Sequence, residues 1–167
     1  MEIKDSGERR QFESGAVRDI QEGKGRCDLM PLDVVAKLLE LHNMDSDMFD
    51  IFEHLQKFKE TGDYIQLLFV LSAYLKLVDK SCADMLLDLS KHFEAGAKKY
   101  GENNWQKGIP VKCYIDSAVR HLLKFIREDD DEPHDRAFCW NIMCGIWTCI
   151  HKPELNDYRK GVDNNGN

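Results

Sequence analysis

The sequence predicts an all-α protein, a helical bundle of five or six helices that follows an irregular N-terminal segment. Apolar residues recur at helical steps of three and four in successive stretches after Pro31. No stretch sustains the period-two alternation that is typical of a half-buried strand. We therefore expect helices packed on helices, with no internal repeat.

The first half of the chain contains the irregular segment and the first predicted helices. Residues 1–30 carry four glycines among charged residues, which disfavours both helix and strand. Pro31 suits the first turn of a helix. The stretch 43–63 has an apolar stripe that ends at a glycine. The stretch 64–79 is apolar on most sides, which predicts a helix buried inside the bundle.

The second half contains three further predicted helices. Residues 82–100 form an amphipathic stretch that a glycine ends. Residues 112–128 follow a proline, and residues 133–151 end just before another proline. The polar residues of these three helices provide the candidate functional groups.

Composition restricts the class of protein. The chain has 167 residues, enough for one domain with its own core, and a formal net charge of −7. This charge argues against a nucleic-acid partner, since such proteins carry a basic surface. The most apolar run is shorter than the ~20 residues of a membrane-spanning helix, and the N-terminus has no apolar signal segment. The six cysteines form no C-x-x-C pair, so we expect reduced core cysteines in a cytoplasmic protein that does not bind membranes.

Several polar side chains share helix faces. Asp116, Arg120 and Lys124 recur every four residues, and His134 and Asn141 lie two turns apart in an otherwise apolar helix. The same spacings are also typical of a solvent-exposed charge ladder and of packed or surface histidines. Spacing alone leaves both interpretations open.

Carboxylates from different helices can hold divalent cations in the core of a bundle. The candidate metal ligands are Glu94, Asp116, Glu132 and Asp135, and the last two are three residues apart at a predicted helix start. Cations there would neutralise polyphosphate charge and activate a water molecule, beside lysines and arginines that bind anions. The alternatives are an ordinary helix pair for Glu94 and a solvated acidic loop for residues 127–132.

Four stretches together resemble one family: SGAVRDIQEGKGRCDLMP (14–31), HFEAGAKKYGENNWQKGIP (92–110), DSAVRHLLKF (116–125) and DEPHDRAFCWN (131–141). They resemble the phage-associated dATP/dGTP diphosphohydrolase (MazZ-like) family, which is related to MazG-like all-α nucleoside triphosphate pyrophosphohydrolases. The resemblance covers about a third of the chain. We assign residues 1–160 to one domain of this kind, with about 40–80 as a helical insertion between the first two stretches, and 161–167 to a disordered tail.

The resemblance implies hydrolysis of a purine deoxynucleoside triphosphate, dGTP or dATP, to the monophosphate and pyrophosphate with Mg²⁺ or Mn²⁺. It also implies a homo-oligomer in the cytoplasm of an infected bacterium and, in some phages, a supply of dGMP for 2-aminoadenine nucleotide synthesis. The MazG relatives carry an E-E-x-x-E string that is absent here, where Glu94 stands alone.

The resemblance also suggests roles for individual residues. Catalytic roles fall to Glu94 or Asp116 as metal holders and to His121 or His134 as a base or phosphate donor. The substrate-binding candidates that match the family are Arg18, Asp19, Lys24, Arg26, Asp28, Lys99, Asn104, Trp105, Arg120 and Asn141. Lys98 and Lys124 join this set as positive charges on the neighbouring helix faces. Within this set, the amides after Gly101 would bind a base or ribose, and Trp105 would stack on a purine or, equally, anchor a turn.

Two other functions stay open on the sequence. The first is a nucleotide-binding or host-interaction module without catalysis, which the missing acidic string favours. The second is a histidine–aspartate type phosphohydrolase that uses His121, His134 and Asp135 at a transition metal and releases triphosphate.

Overall fold

The structure is a computed structural model that describes residues 8–19, residue 30 and residues 46–159. Predictions for the helix after Pro31, for Lys24, Arg26 and Asp28, and for the 161–167 tail lie outside the described residues.

The described residues form five α-helices and a two-stranded antiparallel hairpin, which confirms the all-α prediction. The elements are β1 (Arg9–Gln11), β2 (Val17–Asp19), α1 (Ser46–Thr61), α2 (Ile65–Leu77), α3 (Cys82–Tyr100), α4 (Val111–Ile126) and α5 (His134–His151). Short 3-10 helices occupy Asn104–Lys107 and Pro153–Leu155. The hairpin is the element that the sequence does not predict, because strands of three residues are too short to show alternation.

Local chemistry explains where the helices begin and end. The Ser81 hydroxyl accepts a hydrogen bond from the Asp84 backbone N–H (3.1 Å) and so caps α3. Gly101 ends α3, as predicted, with a φ of 90° that residues with a side chain rarely adopt. The turn between α1 and α2 needs Gly62, whose φ is 67° and whose missing Cβ would lie 2.6 Å from the Cα of Arg159.

The main core draws apolar side chains from all five helices, and α4 and α5 pack against each other most extensively. Fully buried examples are Phe52, Leu67, Val119, Phe138 and Ile142. Burying each such side chain stabilises the fold by about 1.5–3 kcal/mol relative to leaving it exposed. The bundle is thus held chiefly by this shared core.

Two details differ from the sequence-based expectations. Helix α2 is not enclosed, since Ile65, Leu68 and Phe69 are exposed on its outer face. Four described cysteines are free and buried, as expected, but Cys82 is exposed at the start of α3. No helix in the described part of the chain is both long and apolar enough to cross a bilayer.

A second, smaller core attaches the hairpin to the bundle. Ala16, at the turn between the strands, packs with Ile109, Cys113, Tyr114 and Cys144, so the hairpin rests on α4 and α5. The Ser14 hydroxyl also donates to the Gly108 carbonyl. The hairpin therefore forms one wall of a cavity whose other walls are helices.

Candidate functional site

A cavity of about 880 Å³ lies between the hairpin, the C-terminal half of α3, α4 and the first turns of α5. Side chains of both charges line it together with the aromatic rings of Phe93, Tyr100, Trp105 and Trp140. The lining residues that carry charge or imidazole are Arg10, Arg18, Asp19, His92, Glu94, Glu102, Asp116, Arg120, His121, Lys124, Asp131 and Glu132.

The guanidinium of Arg18 is fixed by residues of both α4 and α5. It donates to the Ser117 hydroxyl (2.9 Å) and to the Asn141 side-chain carbonyl (2.6 Å), and it lies over the ring of Tyr114. Asn141 is itself oriented, because its amide donates to the Ala137 carbonyl (2.7 Å). The Nη1 atom of Arg18 is buried without a hydrogen-bond partner among the described residues. The arrangement holds a cationic group rigidly in the cavity wall.

Asp19 connects the hairpin to the end of α3. One carboxylate oxygen accepts a bond from Lys99 (3.0 Å), and the other accepts a bond from the Tyr100 hydroxyl (2.8 Å). Burial, and next the bond to Asp19, raise the pKa of Tyr100, so the phenol stays protonated and donates. Arg18 and Asp19, adjacent in sequence, thus tie the hairpin to three different helices.

Asn104 and Trp105 close the cavity next to the hairpin. The Asn104 side chain accepts from the Val17 N–H (3.1 Å) and donates to the Val17 carbonyl (2.9 Å). Its amide therefore pairs with β2 like a neighbouring strand. The indole of Trp105 packs edge-on against Phe93 and Trp147, with ring centroids 5.5 and 5.0 Å apart.

The face of α4 that was predicted from its four-residue spacing does line the cavity. Asp116 is buried and forms an ion pair with Arg120, and Lys124 contacts Asp131 in the following loop (3.2 Å). A buried carboxylate is not part of a solvated charge ladder. Asp116 and its partner therefore belong to the cavity wall.

Two histidines and two acids meet at the end of the cavity between α4 and α5. The Nδ1 atoms of His121 and His134 are 3.0 Å apart, and Nε2 of His134 is 2.8 Å from Asp131. Oε1 of Glu132 lies 3.8 Å from the first Nδ1 and 3.9 Å from the second. Burial, and then the neighbouring His134 and Arg120, lower the pKa of His121 to about 2. His121 is consequently neutral at physiological pH.

The hydrogen-bond directions in this group follow from the chemistry of the acceptors. An ionised Asp131 can only accept, so His134 donates from Nε2 and, when neutral, keeps a lone pair on Nδ1. His121 then donates from Nδ1 to His134 and keeps its own lone pair on Nε2. A neutral imidazole with an available lone pair can accept a hydrogen bond or coordinate a metal ion.

His92 is a further buried histidine in the cavity wall, next to Trp140. Burial, and secondarily the charge of Arg136, lower its pKa to about 4. It is therefore neutral at pH 7 and adds no charge to the site.

The structure brings most of the sequence-predicted site residues together. Those that line the cavity are Arg18, Asp19, Glu94, Asn104, Trp105, Asp116, Arg120, His121, Lys124, Glu132 and Asn141. Lys99 and His134 stand behind this lining and contact it. Lys98 is exposed and pairs with Glu94 along the surface of α3.

The four predicted metal ligands do not converge. Glu94 is largely exposed at the rim, Asp116 is paired with Arg120, and Asp135 points away towards Lys80 (3.9 Å). The expectation that Glu132 and Asp135 share one side is corrected, because α5 begins at His134 and Glu132 belongs to the preceding loop.

The described part of the chain contains two groups of three residues whose potential ligand atoms lie within 4.8 Å of one another inside each group. They are His121 with Glu132 and His134, and Asp129 with Asp131 and His134.

Sequence reasoning overlooked several residues of the site. Asp131 carries a usable signal, since an acid three residues before a histidine at a helix start can reach it. Arg10, Ser117 and Tyr100 carry no such signal, because their partners lie on elements far away in sequence.

Comparison with known proteins gives one match. The family model described as "dATP/dGTP diphosphohydrolase, N-terminal" matches residues 72–158. The matched region begins in α2 and includes every helix that lines the cavity, whereas the hairpin lies outside it. No curated protein and no solved structure gives a significant match.

Proposed function

The chain belongs to the dATP/dGTP diphosphohydrolase family, and on that premise we propose that it hydrolyses a purine deoxynucleoside triphosphate to the monophosphate and pyrophosphate. The supporting observation is the cavity between the hairpin and α3, α4 and α5, with cations fixed in its wall. Its volume of about 880 Å³ falls within the range of about 300–1,000 Å³ that is typical of ligand pockets.

The phosphates would lie along the charged side of the cavity. Arg10, Arg18, Arg120 and Lys124 line it, although the chain as a whole has a formal net charge of −7. Phosphoryl transfer depends on positioning and on compensation of charge that develops on the phosphate oxygens. Arg18 suits this role because its contacts with α4 and α5 orient it before a ligand arrives.

The purine would lie on the other side, between the end of α3 and the aromatic rings. Gly96 leaves open space there, since a Cβ at this position would meet no atom within 4 Å. Trp105 and Trp140 offer ring faces or edges to a base. Asn104 is engaged with Val17, so we propose that it positions the hairpin instead of reading the base.

The reaction would place a water molecule in line with the α-phosphorus and the departing pyrophosphate. The bond from the water oxygen to phosphorus forms as the bond from phosphorus to the bridging oxygen breaks. The attacking water releases its proton to a carboxylate of the site or to solvent, and the arginines stabilise the leaving pyrophosphate. His121, whose pKa burial lowers to about 2, stays neutral and acts as a ligand or hydrogen-bond partner.

The predicted carboxylate ligands do not suit the Mg²⁺ or Mn²⁺ that the resemblance implies. Mg²⁺ requires oxygen ligands in octahedral geometry, and Glu94, Asp116 and Asp135 each have a cationic partner in a different place. These residues do not fit an all-carboxylate site. A cation held by the four predicted carboxylates therefore has no part in the proposed mechanism.

Product analysis is the decisive experiment. The full-length protein is incubated with each of the four deoxynucleoside triphosphates, with and without divalent metal, and the products are separated by ion exchange. Pyrophosphate and monophosphate from dGTP or dATP support the proposal. Triphosphate and nucleoside would instead support the histidine–aspartate type reaction, and binding without turnover would support a nucleotide-binding module.

Two arginine variants test the charged side of the cavity. Arg18→Lys keeps the charge but loses the planar guanidinium, whose Nη2 donates to both Ser117 and Asn141 and whose Nη1 is buried without a partner among the described residues. We therefore expect kcat/KM to fall about 10- to 100-fold. Arg127→Lys is the matched control, since this residue is exposed and pairs with Asp129 in a loop. Equal activity in both variants would contradict the proposed phosphate site.

We further propose that residues 1–160 act as one domain and that the enzyme works as a homo-oligomer in the cytoplasm of a phage-infected cell, where its dGMP would supply 2-aminoadenine nucleotide synthesis. The 40–80 segment is proposed as an insertion, although α1 and α2 share the main core.

The exposed Leu68 and Phe69 on α2 are the proposed contact between copies. Light scattering of the wild type and of Leu68→Lys would test this, because a monomeric variant is expected.

A further inference from the structure

Two nitrogen atoms and one oxygen atom that could bind a metal lie close together where α4 meets the loop before α5. They are Nδ1 of His121, Nδ1 of His134 and Oε1 of Glu132. The nitrogen atoms are 3.0 Å apart, and the oxygen lies 3.8 and 3.9 Å from them. All three residues are partly or fully buried at the end of the cavity.

These separations match the dimensions of a metal site. A point equidistant from three atoms at these spacings lies about 2.1 Å from each of them. Bonds from Zn²⁺ to histidine nitrogen and carboxylate oxygen are about 2.0–2.2 Å long. Three protein ligands would leave a further coordination position on the ion, as in catalytic sites.

The surroundings of His134 support ligation through Nδ1. Its other nitrogen, Nε2, donates to Asp131 at 2.8 Å, which fixes the ring orientation and directs the Nδ1 lone pair towards His121. An ion bound here would replace the hydrogen bond between the two Nδ1 atoms, and the proton on Nδ1 of His121 would move to Nε2 of the same ring. A carboxylate behind the ligating histidine is the common arrangement in metal sites and raises the basicity of the ligand.

The charges around the cluster favour the same three residues over the other candidate set. Asp129 accepts two bonds from Arg127, and Asp131 is paired with Lys124, so cations already compensate both acids. Glu132 has no such cation: its partners among the described residues are the two imidazoles, both beyond hydrogen-bond distance. A carboxylate that is mostly buried and lacks hydrogen bonds is costly unless a cation binds it.

We propose that His121, Glu132 and His134 bind a divalent transition-metal ion of the Zn²⁺ class, with Asp131 orienting His134. Two imidazole ligands select such ions over Mg²⁺, which prefers oxygen ligands. Affinity should increase from Mn²⁺ through Co²⁺ to Zn²⁺. A role for this ion in the reaction rests on the proposed function, in which it would act as a Lewis acid and lower the pKa of a bound water. Binding of the ion does not depend on that function and is tested without nucleotide.

The experiment measures metal binding by the full-length protein. The chain is stripped with a chelator, dialysed separately against Zn²⁺, Co²⁺ or Mg²⁺, and analysed for bound metal by mass spectrometry and, for Co²⁺, by its visible absorption. We expect about one Zn²⁺ or Co²⁺ per chain and no retained Mg²⁺. Glu132→Gln and His121→Ala should bind Zn²⁺ at least about 10-fold more weakly, and Asp131→Asn about 10- to 100-fold more weakly.

Controls separate loss of the site from loss of the fold. Glu154→Gln makes the same chemical change at an exposed position and should bind like the wild type. Far-ultraviolet circular dichroism must match between the variants. Glu132 and His121 are chosen because they are less buried than His134. In addition, Zn²⁺ should raise the melting temperature of the wild type and not that of Glu132→Gln.

Two outcomes would overturn the site. One is a wild-type chain that retains no Zn²⁺ or Co²⁺ after dialysis. The other is full retention in Glu132→Gln and His121→Ala together with loss in Glu94→Gln, which would put the ion at the cavity rim. Metal binding without pyrophosphate release from any nucleotide would refute the proposed reaction and leave the site in place.

Discussion

Two neighbouring lysines on α3 should affect stability to very different extents when replaced. Lys98 and Lys99 are adjacent in sequence and both pair with a carboxylate. The side chain of Lys98 is 74% exposed and that of Lys99 is 9% exposed. Lys99→Met removes a buried partner of Asp19, whereas Lys98→Met removes an ion pair that water screens.

The loss of stability in Lys99→Met follows from the Asp19 carboxylate that remains without its lysine partner. Without Lys99, the Asp19 carboxylate loses a charge-assisted bond of 3.0 Å while it remains mostly buried at 16% exposure. A hydrogen bond to a charged group contributes about 1.5–3 kcal/mol, and methionine preserves the apolar stem. We expect the free energy of unfolding to fall by about 2 kcal/mol, which lowers the melting temperature by about 4–8 °C in a domain of this size.

Urea unfolding and thermal melts of both variants provide the assay. Lys98→Met should be indistinguishable from the wild type. A double-mutant cycle of Lys99→Met with Asp19→Asn should give a coupling energy well above experimental error, because the two residues touch. Equal stability of the two lysine variants, or zero coupling in the cycle, would refute the assignment of Asp19 and Lys99 as the clamp that holds the hairpin.

Three further predictions concern the cavity wall and the turn before α2. Because burial lowers the pKa of His92 to about 4, the unfolded chain takes up a proton there first as pH falls below about 6.5, and stability is lost between those values. Protonation of this histidine in the unfolded chain should lower the free energy of unfolding by about 2 kcal/mol between pH 7 and pH 5. Urea titrations of His92→Phe should show a correspondingly smaller loss of stability over the same range. Gly62→Ala should destabilise the protein by at least about 1–2 kcal/mol, because its φ of 67° and the backbone of Arg159 leave no place for a Cβ; an unchanged urea midpoint would contradict this. In Gly96→Ala the added Cβ would lie in open space on a helix, so the free energy of unfolding should instead rise by about 0.5–1 kcal/mol. A raised KM without a loss of stability would then indicate that the substrate lies against this position.

The helices and one face of the site follow from local sequence patterns. The end of α3 at Gly101 needs only the glycine, and the common face of Asp116, Arg120 and Lys124 needs only the helical repeat. These features depend on residues within one or two turns of each other. Local spacing is therefore sufficient to predict them.

The contacts between elements do not follow from such patterns. Asn104 faces the backbone of Val17 across 87 residues, and no spacing rule indicates that pairing. The approach of His121 to His134 depends on how α4 packs on α5. The separation of Glu132 from Asp135 depends on where α5 begins, and helix boundaries are uncertain by one or two residues. Each of these details decides which atoms can bind a ligand.

The attachment of the hairpin has a consequence for synthesis of the chain. Arg18 and its partner Asn141 are 123 positions apart. At about 5–20 residues per second, a ribosome makes Arg18 about 6–25 s before Asn141. The hairpin is thus translated before α5, and this contact forms only after the start of α5 has left the exit tunnel. The part of the cavity wall that Arg18 and Asn141 form together is therefore completed only when α5 is available to the hairpin.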